Sequence, residues 1–128
     1  MVLRCYGAPD SAVAEADHAY SKELGGALIT DLARAAERAG FAARVASLTE
    51  DSLFAMLRDS VPPILYYRMG LGPITRGHYG VLVGWDPARH EYLLNDGSAQ
   101  TVRCRRDDLM RRWRPADSLA LVVRRRTP

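Results

Sequence analysis

The stretch from Gly77 to Gly97 constrains this chain more than any other. It reads Gly-His-Tyr-Gly-Val-Leu-Val-Gly-Trp-Asp, then a polar reversal carrying Pro87, then Glu-Tyr-Leu-Leu-Asn-Asp-Gly. Two apolar runs around such a reversal predict an antiparallel hairpin. His78 opens the first strand and Asp96 closes the second, 18 residues later. That separation suits two strands of ordinary length and a short turn. The start of one antiparallel strand lies beside the end of the next, so Asp96 is expected within reach of the His78 ring. A carboxylate that orients an imidazole is two parts of a nucleophilic triad. Asp86, at the far end of the same strand, is the weaker candidate partner for His78.

The chain of 128 residues is 48% hydrophobic and 26% charged, enough for one domain with a real core. No apolar run approaches the roughly 18 residues of a membrane span. The opening Met-Val-Leu-Arg-Cys-Tyr-Gly lacks the apolar core and cleavage site of a secretory signal, so as written the chain is expected in the cytosol. Cys5 and Cys104 do not make a disulfide framework. No metal-ligand spacing and no glycine-rich phosphate loop is present, so neither a metal nor an organic cofactor is expected. Charge is uneven: 101–128 holds nine arginines against three aspartates, a net +6 within a chain of net +3. A basic end of this kind attracts phosphate or anionic lipid, although a solvated surface is its ordinary meaning.

Read in order, Val2–Tyr6 looks like the end of a helix stopped by Gly7 and Pro9, and Ser11–Tyr20 like a second helix. Ala27–Ala39 is the clearest helix, with Leu28, Leu32, Ala35 and Ala39 on one stripe and Gly40 as its stop. Phe41–Ala46 reads as a strand. Thr49 should cap a helix over Glu50–Asp59, with Leu48 and Leu53 forming a hydrophobic staple. Strands are expected at Ile64–Arg68, His78–Trp85, Glu91–Asn95, Gln100–Cys104 and Ser118–Arg124. A short helix capped by Asp107 or Asp108 should run to about Trp113. Helices first and antiparallel strands after give an α+β fold.

Four segments, taken together, carry a family resemblance. They are Gly-Gly-Ala-Leu-Ile-Thr-Asp-Leu-Ala-Arg-Ala-Ala-Glu-Arg-Ala-Gly-Phe at 25–41, Pro-Pro-Ile-Leu at 62–65, the Gly-His-Tyr-Gly-Val-Leu-Val-Gly-Trp-Asp strand and Asn-Asp-Gly at 95–97. This order resembles the papain-like cysteine peptidases of family 39, the bacteriocin leader-processing group and its free-standing bacterial relatives, over nearly the whole chain. The resemblance implies a papain-like fold, with N-terminal helices on a C-terminal antiparallel sheet, and a peptide or protein substrate. It implies His78 as base and then acid, and Asp96 as the residue that orients it, with Gly97 standing where proline is common. It also implies a cysteine at the head of the first helix, preceded by a glutamine that helps form the oxyanion hole. Tyr6-Gly7 matches the end of that helix, so the cysteine and glutamine are expected before Met1. The chain is then a family-39-like domain over 1–128, truncated at its N-terminus. An upstream signal would make it periplasmic or membrane-anchored, and a second subunit would cover any exposed core.

Cys5 is a poor substitute nucleophile, because the dipole at a helix C-terminus disfavours a thiolate. Cys104, on a strand in a basic run, is poorer still. His18 and His90 read as surface residues, and Tyr79 and Trp85 as core or groove wall. Two alternatives stand beside the peptidase: an inactive domain that binds a peptide leader without cutting it, and a small basic nucleic-acid binder using 103–114 and 124–126. The second carries no recognised nucleic-acid motif.

Overall fold

In the computed structural model, residues 29–70 and 72–126 are described. Cys5, His18 and the two helices expected before Gly25 lie outside them. The described elements run α1 (Ile29–Arg38), β1 (Phe41–Ser47), α2 (Glu50–Arg58), β2 (Ile64–Met69), β3 (Arg76–Asp86), β4 (Glu91–Asn95), β5 (Val102–Arg105), α3 (Arg106–Trp113) and β6 (Leu119–Arg125), with single 3-10 turns at Gly72–Ile74 and Arg114–Ala116. The strands form one antiparallel sheet in the order β1-β6-β2-β3-β4-β5. The architecture is therefore α+β, with helices on both faces of the sheet.

Local chemistry explains the helix ends. Asp31 near the start of α1 and Arg38 at its end suit the helix dipole. Gly40 stops the helix at φ +93°, which a side chain would resist. Thr49 Oγ1 accepts the Ser52 N–H at 3.2 Å and caps α2. Leu48 packs against the cluster that buries Leu53, as a hydrophobic staple requires. The start of α3 differs from the expected cap. It begins straight from β5 at Arg106, whose N–H donates to the His90 carbonyl at 2.9 Å. With that amide satisfied by a neighbouring turn, Asp107 and Asp108 lie inside the first turn and act on the dipole instead.

Packing follows the strand period. Ala33 and Ala36 of α1 meet Phe41, Leu121 and Val123 on one face of the sheet. On the other, Leu53 of α2 and Leu109, Met110 and Trp113 of α3 pack with Leu65, Tyr67, Leu82, Tyr92 and Leu94. Each fully buried leucine there contributes about 1.5–3 kcal/mol of transfer free energy. The Trp113 indole N–H donates to the Leu119 carbonyl at 2.9 Å, so its polar atom is satisfied inside the core. A bulge in β3 sets the facing of the hairpin. Leu82 pairs Leu94 and Gly84 pairs Leu93, which leaves Val83 as the extra residue. Both Leu82 and Trp85 therefore reach the same core cluster, although three positions separate them.

Candidate functional site: the His78–Asp96 end of the hairpin

His78 pairs directly with Tyr67 of β2, and Gly80 with Leu65. Residues opposite each other in a sheet share a face, so His78 lies on the α2/α3 face, beyond the buried part of the core. On the other side of β3, Val81 pairs with Asn95 at the end of β4. One further step of that register sets Asp96 level with Gly80, on the face of His78 and diagonal to it. Diagonal neighbours are within reach of aromatic and long side chains.

The carboxyl of Asp96 is held below the usual carboxylate range. The first cause is the Ser98 hydroxyl, which donates to Oδ1, and the Ser98 backbone N–H adds a second bond to the same oxygen at 3.0 Å. Partial burial opposes the shift, and the nearby charge of His78 assists it. Gly97 permits this local turn at φ +96°. Thr101 closes the loop behind it by donating to Asn95 Oδ1 at 2.9 Å. Ser98 was missed in reading the sequence, yet a serine two residues after an aspartate, across a glycine, is the signal of this turn.

The two glycines around His78–Tyr79 are explained by the tyrosines of β2. A Cβ on Gly77 would lie 2.1 Å from the Tyr66 hydroxyl oxygen, and one on Gly80 would lie 2.7 Å from that of Tyr67. The rings cross diagonally over bare backbone, one on each face. Tyr66 meets Tyr79 with centroids 5.2 Å apart, and Tyr67 meets the His78 imidazole at 5.5 Å and 67° between planes.

The other described sequence candidates lie away from this end of the hairpin. Asp86 is at the opposite end of β3. Its Oδ1 accepts the N–H groups of Ala88 and Arg89, and its Oδ2 accepts Arg103 at 3.0 Å, so it serves the turn rather than His78. His90 is exposed in that turn, its ring 5.7 Å from that of Trp85. Cys104 pairs with Tyr92 on β5. Tyr92 pairs with Trp85, seven positions along β3 from His78, so the thiol is roughly 20 Å from the imidazole. Cys104 is half-buried, and burial pushes its thiol up, the opposite of what a nucleophile needs. Of the basic residues, Arg103 bridges Asp86 and Glu91, Arg106 pairs with Glu50, and Arg111 with Asp108. Among the described residues no group of three or more His, Cys, Asp or Glu could hold a metal, and no helix is long and apolar enough to cross a membrane.

No protein-family model matches the chain, and no curated protein matches it. Solved structures do. The peptidase domain of Streptococcus ComA, a bifunctional ABC transporter of a quorum-sensing pathway, is similar with a TM-score of 0.73 at 20% identity, over 98% of this chain and 85% of that one. A double-glycine-motif protease from an AMS/PCAT transporter, solved with its leader peptide, is similar with a TM-score of 0.68 at 17% identity, over 98% of this chain and 79% of that one. The peptidase domain of Streptococcus mutans ComA gives a TM-score of 0.61 at 20% identity, over 93% and 92%. The chain thus has the α+β, papain-like fold of these transporter peptidase domains.

Proposed function

We propose that residues 1–128 form one cysteine-peptidase-like domain that takes an extended peptide of the leader type, with His78 as its proton-transfer residue and Asp96 as the carboxylate that orients it. What supports this is the placement of the two side chains on one face at one end of the β3–β4 hairpin, in a fold shared with leader-processing peptidase domains. Ser98 occupies one oxygen of Asp96 and fixes the carboxylate, which leaves the other oxygen to hold the imidazole tautomer. His78 would take the proton of a thiol. The sulfur then bonds to the peptide carbonyl carbon, the C–N bond breaks, and His78 returns the proton to the departing amine. Water hydrolyses the thioester and restores the thiol.

The distance and burial of Cys104 favour a second reading. With no thiol at His78 among the described residues, the same face holds a leader peptide without cutting it. A labelled double-glycine leader peptide, followed by anisotropy for binding and by mass for cleavage, separates the two. Cleavage that alkylation and H78A both abolish supports the peptidase. Saturable binding without cleavage supports the holding domain. Neither binding nor cleavage would overturn both.

A further inference from the structure

We propose that Tyr67 is the positioning residue of His78, and that Gly80 is glycine because the Tyr67 ring needs its place. Three observations converge on this, and it deepens the site reading above without depending on cleavage. Tyr67 is the residue directly opposite His78 in the β2–β3 register, so the two side chains rise from the same face. Its ring is only 4% exposed and is seated in the cluster of Leu65, Leu82 and Trp113, so its own rotamer is fixed by packing. The imidazole meets that immobile ring edge-on, with centroids 5.5 Å apart.

His78 itself is only partly buried. A partly exposed imidazole on a strand has more than one staggered χ1 well and a broad χ2. A fixed aromatic wall on one side removes part of that freedom before any substrate arrives, and entropy lost in advance is not lost again in the reaction. Gly80 completes the arrangement. A Cβ there would come within 2.7 Å of the Tyr67 hydroxyl oxygen and 3.1 Å of a ring carbon. Any side chain at 80 therefore displaces the ring from its place beside His78. It would also stand at the level that the register gives Asp96. One glycine thus serves both members of the pair. The sequence pattern Gly-His-Tyr-Gly acquires a physical meaning at its second glycine that hairpin formation alone does not require.

The test uses the full chain and NMR, with G80A, Y67F and Y67L compared against wild type. Two readouts are followed: nuclear Overhauser contacts between the Tyr67 and His78 rings, and titration of the Asp96 carboxyl. In wild type the ring contacts are present. Y67F keeps the ring, the contacts and the Asp96 titration. Y67L and G80A lose or move the contacts, and the Asp96 carboxyl rises toward the value it takes in H78Q, because the imidazole no longer holds its place. A merely structural tyrosine would alter stability and leave the Asp96 titration alone. An unchanged Asp96 titration in folded Y67L or G80A would overturn the proposal. So would the absence of Tyr67–His78 contacts in wild type, which needs no variant to fold. Because neither readout involves peptide, a failure here is distinct from a failure of the peptide-site reading.

Discussion

Asp96 leaves β4 one residue after Asn95 pairs with Val81, and that single step turns it onto the face occupied by His78. A one-residue slip of the β3–β4 register would send the carboxylate to the α1 side. S98A should raise the Asp96 titration more than H78Q does, since the Ser98 hydroxyl is the larger cause and the His78 charge a smaller one. Carbon-13 detected titration of the side-chain carboxyls reads both. The group is held low in the folded chain, so its stabilisation is present above the unfolded value near about 4 and drains away as pH falls through the folded value.

Glu50 anchors a second network. Arg106 donates to it through Nε at 3.1 Å and Nη2 at 2.9 Å, and the Tyr92 hydroxyl donates to Oε2. These bonds tie the start of α2 to β4 and α3. The Arg106 guanidinium holds the Glu50 carboxyl below its ordinary range, while burial and the carboxylate push Tyr92 up. E50A strands the buried Tyr92 hydroxyl and should cost about 1–3 kcal/mol in denaturant unfolding. Y92F removes donor and demand together and should cost less. The wild-type advantage over E50A should shrink on acidification, since a carboxyl held low in the fold loses its contribution as pH falls through its folded value.

The glycines separate sterics from backbone strain. At Gly77 a Cβ would lie 2.1 Å from the hydroxyl oxygen and 2.5 Å from ring carbons of Tyr66, so G77A should destabilise through the ring by about 1–3 kcal/mol. At Gly97 a Cβ meets nothing within 4 Å, but φ is +96°. G97A should therefore cost about 1–3 kcal/mol through the backbone alone. Y66A should rescue most of the G77A defect and none of the G97A defect, as a double-mutant cycle by chemical denaturation would read.

Cys104 gives a chemical prediction. Burial raises its thiol, so it should react with iodoacetamide more slowly than a free cysteine, and C104S should leave peptide binding unchanged. Peptide mapping after timed alkylation measures the first, and anisotropy the second.

The hairpin was legible because its signals are local. Glu91–Asn95 follows from the apolar run Tyr92-Leu93-Leu94 after a polar reversal, and α2 from Thr49 and the Leu48–Leu53 staple. Gly84 carried the only hint of the bulge at Val83, since a glycine within a strand is a common mark of one. The starts of β5 and α3 were less readable, because a long-range bond from Arg106 to the His90 carbonyl fixes where the helix begins. The pairing of Tyr67 with His78 was not readable either. It depends on the β2–β3 register, which is set by which faces are buried and not by any residue near His78.

The His78–Asp96 end of the hairpin is the proposed place where this domain meets a peptide. The most direct measurement is an amide-resolved NMR titration of the chain with a double-glycine leader peptide. The largest shifts should fall on 76–80 and 95–98, and H78A and D96N should weaken them. Shifts confined to the arginine-rich face at 103–114, with 76–80 unmoved, would contradict it.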